Sequence, residues 1–109
     1  MDENTFLDRA DAEMARLEAA IEAATDAADI DLDIESKPGG ILELEFADGS
    51  KIIINRHAAA REIWVAARSG GFHYKPDGEH WINTRDGEEL YAALARLIGQ
   101  QAGVAISFA

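Results

Sequence analysis

Glu18 and Glu22 stand four residues apart in a segment that reads as helix, so their carboxylates share one face. Asp11 lies on the same stripe and Asp26 continues it. Further on, Asp29, Asp31 and Asp33 alternate with Ile30, Leu32 and Ile34. Strand residues two apart project nearly in parallel, so these three carboxylates share a strand face. Oxygen donors gathered in this way suit hard cations such as Mg2+, Ca2+, Mn2+ or iron, or a basic patch on another protein. No Lys or Arg is interleaved between Arg16 and Glu35. Like charges at this helical spacing cost roughly 0.2–0.5 kcal/mol per pair. Asp26 and Asp29 also fall near the helix C-terminus, where the macrodipole disfavours anions. Two local rules broken in one place point to a functional surface, against the plainer reading of a solvated acidic face. An EF-hand loop is excluded, because Ile34 stands where its glycine is required and Gly40 where its bidentate glutamate belongs. Ligands spread along exposed elements predict weak, poorly selective metal binding.

A second feature is Trp64. On its strand Ile63, Val65 and Ala67 take one face, and Glu62, Trp64, Ala66 and Arg68 the other. A tryptophan between acid and base on an outward face fits an interface anchor. Cover by a helix or loop, or a place in the core, are the alternatives. Trp81 reads as core. His57, His73 and His80 have no ligand spacing and read as turn or surface residues. There is no Ser/His/Asp arrangement, phosphate-binding glycine loop or nucleophile elbow. The chain has no cysteine, which excludes disulfides, thiolate metal sites and thiol nucleophiles. No catalytic site is predicted, and the protein is read as not an enzyme.

The elements that must position these groups follow from periodicity. Phe6, Ala10, Met14, Leu17, Ile21 and Ala24 recur at three- and four-residue steps and predict an amphipathic helix over 4–25, capped by Asn4 or Thr5. From Asp29 to Glu35 the period becomes two, a half-buried strand. Pro38, Gly39 and Gly40 turn the chain into a second strand carrying Leu42, Leu44 and Phe46. Asp48-Gly49 makes a hairpin into Lys51–Asn55. Arg61–Arg68 is a fourth strand, and Gly70-Gly71 turns it into Phe72, His73 and Tyr74. Pro76-Asp77-Gly78 leads to His80, Trp81 and Ile82. A second helix is predicted from Gly87 to Gln101, with Asp86 as N-cap, Glu89 completing a capping-box-like pair, and Gly103 ending it. The apolar tail from Val104 to Phe108 is expected to pack back on the domain. Consecutive hairpins between two one-faced helices predict an α+β, two-layer sandwich, both helices on one face of an antiparallel five- to six-stranded sheet. The whole chain, 1–109, is read as a single domain.

Charge bounds the partners. The net charge is -11, and between Met1 and Glu35 twelve acids face two bases, Arg9 and Arg16. The apolar positions in that stretch argue for an ordered acidic surface and against a disordered tail. The acidity argues against nucleic acid, which needs clustered Lys and Arg, and against anionic membranes. No basic signal-peptide start and no membrane-length apolar run are visible, so a soluble, cytoplasmic protein is expected.

The run Asp48-Gly49-Ser50-Lys51-Ile52-Ile53-Ile54-Asn55-Arg56, followed by Ile63-Trp64-Val65-Ala66, resembles the core signature of the frataxin family. Gly70-Gly71-Phe72-His73-Tyr74, Trp81-Ile82 and Asp86-Gly87 match its later landmarks, and the ending from Gln100 to Phe108 is similar to its bacterial branch. The resemblance implies the same helix–sheet sandwich. It implies weak binding of Fe2+ or Fe3+ by acidic residues of the first helix and strand, by position Glu18, Glu22, Asp26, Asp29, Asp31 and Asp33. It implies two partners, the cysteine desulfurase of iron–sulfur cluster assembly and its scaffold protein. The acidic ridge, Glu18 and Glu22 included, would meet a basic patch on the desulfurase, and the outward sheet face with Asn55 and Trp64 the rest of the complex. The protein would be a monomer, with iron-dependent oligomers as an option, and would act as iron donor or desulfurase regulator. The alternatives are a metal-independent acidic interaction module and a ferroxidase. Ala19, Ala20, Ala23, Ala24, Ala27 and Ala28 thin the acidity of the late helix and its exit.

Overall fold

The computed structural model describes residues 1–108. Helix α1 (Glu3–Ala27) is followed by six strands, β1 (Leu32–Lys37), β2 (Ile41–Phe46), β3 (Lys51–His57), β4 (Glu62–Ala67), β5 (Gly70–Asp77) and β6 (His80–Asn83), and by helix α2 (Leu90–Ala102). The strands pair antiparallel in sequence order, β1-β2-β3-β4-β5-β6. Each hairpin therefore places the next strand beside the last, as the run of turns predicts.

Both helices press their apolar stripes onto one face of this sheet. From α1 come Phe6, Ala10, Met14, Leu17 and Ile21, and from α2 Leu90, Ala93, Leu94, Leu97 and Ile98. They meet Leu42, Leu44, Phe46, Ile52, Ile54, Ile63, Val65, Tyr74 and Trp81 of the sheet. Full burial of an aliphatic or aromatic side chain stabilises by about 1.5–3 kcal/mol, so this contact dominates the fold. Ile106 and Phe108 of the tail pack against the same core, and the Phe108 ring stands edge-on to Tyr91 at 5.5 Å. The predicted return of the tail is thus observed.

Four boundaries differ from the sequence expectation. Asp2, not Asn4 or Thr5, caps α1: its Oδ1 accepts from the Thr5 amide at 2.8 Å. Asp is as good a cap as Asn and better than Thr, and the helix starts a residue earlier. β1 begins at Leu32, not Asp29. Asp29 adopts a left-handed φ of 55°, and the Ile30 amide returns to the Thr25 carbonyl at 2.9 Å, so this stretch closes the helix. The alternating pattern ran backwards through a helix exit. Gly70 and Gly71 belong to β5, where they pair with Ala67 and Ala66, and the chain turns earlier at Arg68-Ser69. α2 is capped by Glu89, whose carboxylate accepts from the Tyr91 amide, and not by Asp86. Gly87 at φ 76° keeps the preceding residues in a turn, where Asp86 Oδ1 accepts from the Glu88 amide at 2.9 Å. Gly103 ends α2 as predicted, with φ 72° and its amide on the Gly99 carbonyl.

Candidate functional site

The two candidate surfaces meet at β1, where Asp33 shares the face of Glu35 and Lys37 by strand alternation. The acidic ridge follows α1 and wraps onto the first strand. Glu18 is half-buried beside a cleft of about 210 Å3 between α1 and the β1–β2 turn, whose lining includes Asp11, Ser36, Lys37 and Gly40. Glu22 and Asp26 are exposed further along α1, Asp29 and Asp31 are exposed in the helix exit, and Asp33 is exposed on β1. Asp29 and Asp31 do not share a strand face with Asp33 as expected, because they precede the strand.

Asp11 is drawn out of the ridge by an ion pair, with Arg56 Nε 2.7 Å from its Oδ1. Arg56 arrives from β3 on the helix-facing side, next to Ile54 by strand alternation, and Gly40 leaves it room. Asp48 joins the exit instead. With Asp29, Asp31, Phe46 and Gln101 it lines a cleft of about 330 Å3. The pairing of Leu32 with Phe46 brings the β2–β3 turn there, which only the strand register could have foretold. Asp48 is itself engaged. Hydrogen bonds from Ser50 and from Arg68, at 2.6 Å, pull its pKa down to about 2.

Among the described residues, no three carboxylate or imidazole groups converge closely enough to enclose a metal ion. Carboxylates set this far apart would reach a cation only through its water shell, a geometry of weak binding.

The other surface is the sheet face away from the helices. Register aligns Lys37, Ile41, Asn55, Trp64 and His73 in one row across β1 to β5. A second row holds Glu35, Glu43, Ile53, Ala66 and Gly71. Trp64 is on this open face, half-buried, as the alternation of β4 predicts. Two of the three histidines do more than a turn or surface placement implies, while His80 is exposed at the start of β6. His57 stacks on one side of Trp64 at 3.8 Å and 15°, and His73 on the other at 4.2 Å and 8°. The three rings come from three strands, so sequence spacing cannot show them. Glu62 Oε1 accepts from Trp64 Nε1 at 2.8 Å. Asn55 sits opposite Trp64 and gives its amide to the Arg56 carbonyl. Nearby, Glu43 receives both Lys37 at 2.6 Å and Lys51 at 2.7 Å, and these two hydrogen bonds hold its pKa down to about 2. Trp81, by contrast, is core at 1% exposure.

Residues 1–104 match the family described as a frataxin-like domain. The chain belongs to the frataxin family. Its relatives in that family include the iron–sulfur cluster assembly protein CyaY of Cupriavidus taiwanensis, 56% identical over 108 residues, covering 99% of this chain and 96% of the relative. The protein of the same name from Dechloromonas aromatica is 56% identical over 106 residues, covering 97% of each chain. Among solved frataxins, that of Psychromonas ingrahamii superposes with a TM-score of 0.82 at 29% identity, over 100% of this chain and 99% of the other. Trimeric frataxin of Saccharomyces cerevisiae, solved in a ferrous complex, gives 0.74 at 24% identity over 87% and 86%, a likeness of fold alone. No helix of this frataxin, among the described residues, is long and apolar enough to cross a membrane.

Proposed function

We propose that this frataxin is an iron-binding accessory protein of iron–sulfur cluster assembly, acting as regulator or iron donor by docking on a cysteine desulfurase and its scaffold. Relatives at 56% identity over nearly the full chain carry the name of that process. The observation that carries the reading is the pairing of two accessible surfaces on one rigid sandwich. The ridge from Glu18 through Glu22 and Asp26 to Asp29, Asp31 and Asp33 presents carboxylates that no ion pair within 4 Å neutralises among the described residues. It offers weak Fe2+ or Fe3+ sites and a complement to a basic patch on the desulfurase. The open face offers Asn55 and Trp64 to the rest of the complex. Iron is cargo here, because exposed carboxylates exchange a hydrated cation readily.

The separation of the carboxylates also favours a second reading, in which the ridge serves only as docking charge. An NMR titration of labelled protein with Fe2+ under anaerobic conditions, then with the desulfurase, decides between them. Broadening confined to Glu18 through Asp33 supports iron binding on the ridge, and perturbation of that ridge together with Trp64 by the desulfurase supports the docking role. A ridge untouched by iron that still responds to the desulfurase leaves the metal-independent module. There, affinity falls steeply with salt and is indifferent to iron.

A further inference from the structure

The two edges of the sheet are finished differently. At β6 the chain covers its own edge. Ile82 bridges to Glu89, the Asn83 amide donates to the Glu88 carbonyl at 2.8 Å, and Arg9 donates to the His80 carbonyl at 3.1 Å. At β1 the edge is open. The Phe46 amide donates to the Ser50 carbonyl and the Arg56 amide to the Gly40 carbonyl. These bonds turn the backbone groups of Leu42, Leu44 and Phe46 toward β3, and hence those of Ile41, Glu43 and Glu45 toward β1. By register Lys37, Glu35 and Asp33 bond to the latter three, so Leu32, Ile34 and Ser36 turn their N–H and C=O groups outward. Among the described residues, no backbone hydrogen bond from outside the ladder reaches β1. The strand pairs one-to-one with β2 along its whole length, without a bulge, and holds no Pro or Gly. A regular, uncovered edge of this kind is a template for another strand.

We propose that the β1 edge is a strand-addition site, which takes an extended segment of a protein partner with basic and apolar residues in alternation. Side chains of an added strand alternate between the two sheet faces. On the helix side they lie beside Leu32 and Ile34, which are half-buried against the core, so apolar residues fit there. On the open side they lie beside Asp33 and Glu35, both exposed. Register sets Asp33 opposite Glu45 and Glu35 opposite Glu43, and like charges directly opposite destabilise a sheet. The bases nearby are already held, Lys37 and Lys51 both by Glu43, Arg56 by Asp11 and Arg68 by Asp48. Asp33, Glu35 and Glu45 have no ion pair among the described residues. Glu18 of α1 lines a cleft with Ser36, and exposed Asp31 precedes the strand, so both add to the acidity. Lys75 and Asp77 stand on β5, toward the other edge. Lys or Arg on the added strand therefore relieves a repulsion that this chain leaves standing. A second copy of the chain would bring the same carboxylates and be repelled. The inference goes beyond the docking charge of the ridge, because it uses the backbone of β1 and does not require the desulfurase as partner.

The test uses the full chain and end-blocked peptides of about eight residues, within the ordinary length of a strand, followed by NMR amide exchange. In the free chain the amides of Leu32, Ile34 and Ser36 should exchange faster than those of Asp33, Glu35 and Lys37. A peptide alternating Lys and Val should protect the first three, and its binding should fall with salt. One alternating Glu and Val should not bind. One alternating Lys and Pro carries the same charge but lacks half the strand donors, and should protect nothing. Ser36→Pro removes one outward N–H and should weaken the Lys/Val peptide roughly 2- to 10-fold, the range of one net hydrogen bond, with thermal melting as the control for folding. Asp33→Asn/Glu35→Gln should weaken it by a similar factor, roughly that of two cross-strand charge pairs. Should the Lys/Val peptide leave Leu32, Ile34 and Ser36 unprotected, or the Lys/Pro peptide bind equally well, the inference is wrong and the docking charge of the ridge is untouched. Protection that grows with the concentration of the chain alone would give the edge to a second copy and overturn the inference as well.

Discussion

Tyr91 donates its hydroxyl proton to Glu13 Oε2 across 2.6 Å, joining α2 to the middle of α1 over 78 residues of sequence. Glu13 is only 3% exposed and takes a second hydrogen bond from Arg16 at 2.9 Å. Burial pushes this carboxyl up, but the hydrogen bonds from Arg16 and Tyr91 outweigh it and hold its pKa below the usual 4.5. The Tyr91 hydroxyl is correspondingly pushed up, by burial first and by Glu13 next. Tyr91→Phe should cost about 1.5–3 kcal/mol, the scale of a hydrogen bond to a charged group, read as a lower urea midpoint at unchanged slope. A folded pKa below the unfolded one gives stability that is present above about pH 4.5 and is lost as pH falls through the folded value. Glu13→Gln should therefore differ most from wild type at neutral pH, and the difference should shrink in acid. A constant difference down to pH 3 would show that the charge of Glu13 is not what matters.

Trp64 and Trp81 should respond very differently to truncation. Trp81 is 1% exposed and meets Phe6 edge-on at 5.9 Å, so Trp81→Ala should cost about 3–5 kcal/mol, the range for an aromatic lost from a core. Trp64→Ala removes two stacking contacts on an open face and should cost about 1–3 kcal/mol, with its main effect on partner binding. Chemical denaturation of both variants checks this. Equal losses would mean the sheet face is more tightly organised than half-burial implies.

Replacing Asp29, Asp31 and Asp33 with Asn should raise stability in low salt by about 0.5–1 kcal/mol, through relief of like-charge pairs, and should weaken Fe2+ binding. Asn is the right replacement at Asp29, because its φ of 55° is left-handed and Asn tolerates it. Melting curves in low and high salt measure the first effect and anaerobic Fe2+ titration the second. A variant with unchanged stability and unchanged iron affinity would remove the ridge from the functional account.

Gly40 and Gly49 test how Arg56 is seated. Both have positive φ, 74° and 84°, so either alanine carries a left-handed penalty of order 1–3 kcal/mol. At Gly49 the added carbon meets nothing, but at Gly40 it overlaps the Arg56 side chain. Gly40→Ala should be the more damaging, and pairing it with Asp11→Asn should cost less than the sum, since both act through Arg56. Strict additivity in a double-mutant cycle would show that Arg56 does not need Asp11.

The sandwich was legible because its signals are local. Leu42, Leu44 and Phe46 show their face by alternation alone, and Leu94, Leu97 and Ile98 show theirs by helical spacing. What escaped was non-local or degenerate. Asp29 continued an alternating pattern that is compatible with a strand, while its actual role is to close a helix. Asp86 and Glu89 are both plausible caps, and the backbone of Gly87 chose the later one. At the candidate site, Trp64 was placed outward correctly, since one strand suffices to say so. Its imidazole neighbours needed the β3–β4 and β4–β5 registers together. Asp48 beside Asp29 and Asp31 needed the fold as well.

The meander order of the sheet has a kinetic consequence. Every strand pairs with the one made just before it, so all five pairings join near neighbours and close short loops, which costs little chain entropy and favours early formation. The helices are different, because Glu13 and Tyr91 meet only when the two ends of the chain do. That closure is the high-contact-order step. An interaction formed after the transition state slows unfolding without speeding folding; if the Glu13–Tyr91 clasp forms in that late step, Tyr91→Phe should speed unfolding and leave the folding rate unchanged, so that the clasp works as a latch on the lifetime of the folded state.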